Sequence, residues 1–358
     1  MKTLNTELKQ FLMDGTVLPA HPLCLTENRE FDEDSQRLLT RYYIESGAGG
    51  VAVAVHSTQF EIRLPEHNLF EKVLAVTADE INKAQLERPF IKIAGICGPV
   101  DQAIREANLA VSYGYDIGLL SMGGLQDLTE EQILDRTRAV AAVIPVFGFY
   151  LQPSVGGRIF SYDFWSEFVN IDNVEAIKCA SFNRYQTLDV VRAIANSPRR
   201  DKIALYTGND DNIVHDLLAV YEFPVDGKNV EVQFRGGLLG HWAVWTNKAV
   251  ALLNDIKSYK AAPSFEKWKQ LQILANQITD VNAVLFDVAH DFHGCIPGIH
   301  EVLYRQGLMK GIWCLNPKEV LSDGQFEEIS RVYQDYPTLN DDSFVESFLA
   351  SQLEKSEL

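Results

Sequence analysis

Short apolar runs recur along this chain, each followed by a segment with apolar residues at helical spacing. Eight of the runs read as buried strands: residues 17–25, 50–56, 90–97, 117–122, 146–152, 174–180, 202–208 and 234–240. Their starts lie roughly 27 to 40 residues apart, about the length of a strand, a helix and two short loops. Between them, residues 32–46 open on acidic residues, keep a helical period and stop at Gly47. Residues 65–85, 101–113, 129–143, 185–196, 212–223 and 241–260 read the same way, and Thr129-Glu130-Glu131-Gln132 offers a capping box.

Alternating strands and helices of this kind specify a parallel sheet, and eight units close naturally into a (β/α)8 TIM barrel, an α/β fold. A doubly wound nucleotide fold is disfavoured, because no GxGxxG follows the first strand. Beyond Lys260 the pattern becomes helical only, over 264–289, 297–306, 324–336 and 342–353, with an acidic, solvated end after Leu349. The expected organisation is a catalytic barrel over 1–260 and a helical region over 261–358 packed on it.

Composition narrows the function classes. The chain of 358 residues carries a formal net charge of −17, which opposes approach to nucleic acid or to an anionic membrane. The N-terminus lacks an apolar signal core, and no run is long enough to span a bilayer, so a cytoplasmic protein is expected. Cys24, Cys97, Cys179, Cys295 and Cys314 are odd in number and scattered, the pattern of reduced core thiols.

In a barrel of this class the chemistry sits at the C-terminal ends of the strands. Two residues there carry reactive potential: Tyr150 in VFGFYLQP and Lys178 in VEAIKCAS. Simple alternation places Val146, Gly148 and Tyr150 on one strand face and Val174, Ala176 and Lys178 on the corresponding face of the next. A lysine ending a buried strand beside a phenol is a candidate amine nucleophile for carbonyl chemistry.

These residues resemble the dihydrodipicolinate synthase and N-acetylneuraminate lyase family of class I aldolases. Lys178 is similar to that family's Schiff-base lysine and Tyr150 to its catalytic tyrosine in Tyr-x-x-Pro, at a matching separation. The turn LYTGNDD (residues 205–211) is similar to its Ser-Gly-Asp-Asp turn, and RGGLLG (residues 235–240) to its eighth-strand glycines. The resemblance implies that Ser57 and Thr58, at the family's Gly-Thr-Thr-Gly-Glu position, bind a keto-acid carboxylate, with Gly208, Asn209 and Gly237 completing the substrate site. Arg158 is a candidate for a second substrate's carboxylate or for a surface ion pair. Ser121-Met122-Gly123-Gly124 stands where the synthases carry an inter-subunit tyrosine.

The reaction implied is carbon–carbon cleavage or condensation of pyruvate or a related 2-oxo acid with an aldehyde or imine partner. It needs no metal or other cofactor. Desolvation is expected to lower the lysine's pKa and the neighbouring cation that of Tyr150, which would shuttle protons. A homo-oligomer, dimer or tetramer, is implied by the family. Two other readings stand beside it. One is a metal-dependent barrel aldolase or hydrolase drawing on His21, His56, His290, Asp291 and His293. The other is a barrel that binds a keto acid without turnover.

Overall fold

The structure is a computed structural model and describes residues 1–356. Among the described residues ten strands occur: β1 Val17–Pro19, β2 Gly50–Val53, β3 Ile91–Ile96, β4 Ile117–Leu120, β5 Val146–Leu151, β6 Val174–Ala180, β7 Ala204–Thr207, β8 Tyr221–Val225, β9 Lys228–Val232 and β10 Gly236–Leu239. Eight of them form the parallel sheet of a (β/α)8 barrel; β8 and β9 form a separate hairpin. The expected strands are thus all present, β6 at its full expected length and the others shorter. In the first, Pro19 and Pro22 withhold the N–H groups that a longer β1 would need.

The chain divides into two compact units, Met1–Thr16 with Pro89–Leu239, and Val17–Arg88 with Gly240–Leu358. In the first, β3, β4, β5, β6, β7 and β10 are successive parallel neighbours. Thr129 and Gln132 form the expected capping box at the start of helix Glu130–Ala141. Two helices in this unit were not expected. Asn5 caps Thr6–Asp14 by accepting from the Leu8 amide at 2.7 Å. Ser161 caps Tyr162–Phe168 by accepting from the Phe164 amide at 3.0 Å. The helix expected over 212–223 is instead Ile213–Leu218 followed by the β8–β9 hairpin. Asp226 and Gly227, both at positive φ, make its two-residue turn.

The second unit holds β1 and β2, bridged in parallel at Ala20 and Ala52. Its later part is helical, as expected: Thr246–Ala261, Phe265–Leu285, Cys295–Arg305, Gln325–Asp335 and Asp342–Ser356. The stretch after Leu349 is therefore helical as far as Ser356, and residues 357–358 lie outside the described residues. Buried Asp341 fastens this region internally, accepting from the Tyr42 hydroxyl at 2.6 Å and the Gln306 amide at 2.8 Å. Among the described residues, no helix is long and apolar enough to cross a membrane.

Candidate active site

The parity of β5 against β6 decides which side chains accompany Lys178. Val146 pairs with Val174, but the next residue, Phe147, pairs with Ala176, so Glu175 is an extra residue in β6. This β-bulge slips the register by one. Phe149, not Tyr150, then lies opposite Lys178, and Tyr150 lies opposite Cys179. The expected sharing of one face by Tyr150 and Lys178 is corrected on this point. Glu175 is buried and meets Lys9 of the N-terminal helix at 2.5 Å.

Each face can be recognised by what it touches. On one side Lys178 Nζ sits 4.4 Å from the centroid of the Phe149 ring, while Phe147 packs edge-on against Tyr206, the register partner of Lys178 on β7. On the other, Cys179 Sγ lies 3.7 Å from Thr187 Oγ1 of helix Arg184–Asn196. A Cβ on Gly148 would strike the Phe168 ring of helix Tyr162–Phe168. Tyr150 shares this second, helix-facing side. Its ring lies 5.0 Å from Trp165 and 6.0 Å from Phe160, in a cluster continued by Phe164 and Phe168. Aromatic pairs of this kind contribute about 0.5–1.5 kcal/mol each beyond their area. Burial pushes the Tyr150 phenol up to about 12, opposite to the lowering expected from a neighbouring cation.

Lys178 is 9% exposed and ends a wholly buried strand. Burial brings its pKa down to about 8, against the opposing attraction of Asp210. Room for the side chain is made by Gly208 at the end of β7. A Cβ there would fall 2.4 Å from Lys178 Cε and 3.0 Å from its Cγ. Lys178 and Gly208 are therefore brought together.

The other expected substrate ligands of this unit have structural partners. Asn209 is fully buried, its Oδ1 accepting from the Phe182 amide at 2.9 Å and its Nδ2 donating to Asp216 at 2.8 Å. Gly237 donates its N–H to Thr16 O at 3.3 Å and pairs with Thr207, off the register line of Lys178. Arg158 donates to Leu128 O at 2.8 Å and to Leu125 O at 3.4 Å, and lies 5.1 Å over the Phe160 ring. It fastens the loop after β4 through these carbonyls.

In the second unit, Ser57 Oγ donates to Ala20 O at 2.8 Å and Thr58 Oγ1 to His21 O at 2.7 Å. A hydroxyl has one proton to donate, so gripping a carboxylate would require these side chains to turn. The histidines of the metal reading are dispersed. Buried His21 is engaged by Thr40 and Gln36, each at 2.9 Å, and burial lowers it to about 4. His290 Nδ1 contacts Asp287 at 2.6 Å, and His56 packs against Phe60. Among the described residues, no group of three or more His, Cys, Asp or Glu side chains is placed to hold a metal ion.

Comparison with solved structures bears on the fold. A dihydrodipicolinate synthase from Oceanobacillus iheyensis superposes with a TM-score of 0.72, at 17% identity, covering 92% of this chain and 99% of that one. The chain has the dihydrodipicolinate synthase fold. An N-acetylneuraminate lyase from Fusobacterium nucleatum complexed with pyruvate matches with a TM-score of 0.70, at 14% identity, over 92% and 99% of the two chains. A dihydrodipicolinate synthase from Bacteroides thetaiotaomicron matches with a TM-score of 0.70, at 14% identity, over 90% and 98%. No family model matches the sequence, and no curated protein matches it. The resemblance read from Tyr150, Lys178, Ser57-Thr58 and the turns at residues 205–211 and 235–240 is thus met at the level of the fold. Sequence reasoning missed Phe149 as a companion of Lys178; the signal available was Glu175, an acid inside a wholly buried strand.

Proposed function

We propose that this chain is a divergent member of the dihydrodipicolinate synthase and N-acetylneuraminate lyase family. In this reading it is a lyase that forms a Schiff base between Lys178 and pyruvate or a related 2-oxo acid. The observation that carries it is the state of Lys178: a buried amine at the end of β6 whose pKa burial lowers to about 8. At pH 7 such a lysine is about 10% free amine, against about 0.04% for an unperturbed one. A strand-end lysine reaching water would have no such advantage.

The free amine attacks the keto carbon, and loss of water gives an iminium. The iminium draws electrons from the adjacent carbon, so that a carbon–carbon bond can break or form through the enamine. An aldehyde or imine is the second reactant. Lys178 itself carries the electrophilic activation, so no metal or other cofactor enters the proposal. The family fold suggests a homo-oligomer.

The test is borohydride reduction in the presence of pyruvate, followed by mass spectrometry of the Lys178 peptide. A mass increase on Lys178 is expected; no adduct under conditions that label an N-acetylneuraminate lyase would overturn the reading.

A further inference from the structure

We propose that Asp210 moves the protons in the Lys178 chemistry, the task that the sequence pattern alone would give to Tyr150. This rests on the Schiff-base reading and adds to it the acid–base group. Lys178 is met by Phe149 from β5, by its register partner Tyr206 on β7 and by the turn that leaves β7, which carries Gly208 and Asp210. Of these, only Asp210 is a carboxyl group. Tyr206 is occupied elsewhere, its hydroxyl donating to Leu12 O at 2.9 Å and accepting from the Thr16 amide at 3.1 Å. Asp210 is 9% exposed and stands two residues beyond the glycine that touches the lysine side chain. Its charge acts on the Lys178 amine.

The turn that presents Asp210 is built to stay in place. Fully buried Asp216, on helix Ile213–Leu218, accepts from Thr207 Oγ1 at 2.7 Å, Asn209 Nδ2 at 2.8 Å and Asn212 Nδ2 at 3.1 Å, and pairs with Arg184. These donors flank Asp210 on both sides in sequence. Asn209 in turn holds the Phe182 amide, which fixes the exit of β6 just beyond Lys178. The carboxylate and the amine are thereby delivered by two strand exits locked to each other.

The proton balance closes with this pair alone. Asp210 takes a proton from the Lys178 ammonium, and the freed amine adds to the keto carbon. The oxygen is protonated by Asp210, while the new nitrogen–carbon bond costs the nitrogen a second proton, which returns to Asp210. That proton then goes to the hydroxyl, which leaves as water. One ammonium and one carbonyl have become one iminium and one water, and Asp210 ends as the carboxylate it began as.

The experiment compares the rate of borohydride-trapped pyruvate adduct on Lys178 in the full-length wild type, Asp210→Asn, Asp210→Glu and Tyr150→Phe, across pH. General acid–base groups contribute about 100-fold or more, so Asp210→Asn should slow adduct formation by about 100-fold, with Tyr150→Phe within about threefold of wild type. Asp210→Asn also removes the negative charge that favours the ammonium, so its rate should reach a plateau at lower pH than in wild type, a shift that a purely structural loss would not produce. If Asp210→Asn does not fold, Asp210→Glu decides: a misplaced carboxylate should cost about tenfold or more. Adduct formation at the wild-type rate in the folded Asp210 variant would overturn this assignment while leaving the Schiff base intact. Absence of any adduct in wild type would overturn both.

Discussion

Replacing Gly208 by alanine probes the packing that holds the amine in place. Its φ is not in the left-handed region, so the added methyl brings no backbone strain, only a collision. That methyl would lie 2.4 Å from Lys178 Cε, 2.9 Å from Ala180 Cβ and 3.0 Å from Lys178 Cγ. Carbon atoms rest comfortably at about 3.5–4.0 Å, so the lysine end must retreat by about 1.1 Å or more. A displacement of about 1 Å at a reacting group costs on the order of 100-fold in rate. Crowding a packed interior costs about 1–3 kcal/mol in stability, and the upper end is expected because Ala180 Cβ cannot yield as the end of the lysine side chain can. The assay pairs the rate of borohydride-trapped pyruvate adduct on Lys178 with a urea unfolding curve. Adduct formation at the wild-type rate in a folded Gly208→Ala protein would refute the claim that Gly208 sets the position of the amine.

Other consequences can be measured independently. Adduct formation should rise with pH and level off above about 8, since the free amine is the attacking form and the lysine's pKa is lowered to about 8; a rise continuing beyond pH 10 would mean an unperturbed lysine. Asp32→Ala removes a helix cap that accepts from the Ser35 amide at 3.3 Å and an ion pair with Lys310 at 2.8 Å, and should cost about 1–2 kcal/mol by urea unfolding. Burial pushes Asp32 up, but hydrogen bonds from Lys310 and Ser35 outweigh it and leave the pKa lowered. Its contribution is therefore present above the unfolded value of about 3.9 and lost as pH falls through the lower folded value, so wild type and variant should converge in acid. Arg158→Ala should release the loop after β4, read as faster amide hydrogen exchange over residues 121–128, with the pyruvate concentration for half-maximal trapping unchanged; a large rise in that concentration would instead mark Arg158 as a substrate ligand.

The barrel was legible because each strand is a short apolar run flanked by helical periods, and that pattern survives low sequence similarity. Local chemistry explains the elements that were missed. YEFPVDGKNVEV alternates with period two around Asp226-Gly227, a hairpin signal overridden by the expectation of a helix after every barrel strand. Lys178 was legible as a polar residue closing an apolar run, and Gly208 as a small residue in a familiar turn. Tyr150 was assigned to the wrong face because alternation counts residues along one strand and is blind to an extra residue in its neighbour. Asn209 shows a different limit: its composition suits ligand binding, but the sequence does not reveal that Phe182 and Asp216 use both ends of its amide.

The bulge at Glu175 gives the barrel a phase setting separate from its chemistry. Absorbing the bulge, so that Glu175 itself paired with Phe147, would realign Val174–Ala180 with Val146–Leu151 and exchange the partner of position 178 from a phenyl ring to a phenol, with no side chain in the pocket itself mutated. The surface helix Thr6–Asp14, whose Lys9 holds Glu175, thus has a stake in the identity of the reactive pair. A one-residue shift of register between β5 and β6, rather than a substitution, is the step by which a barrel of this kind exchanges the aromatic partner of its reactive lysine.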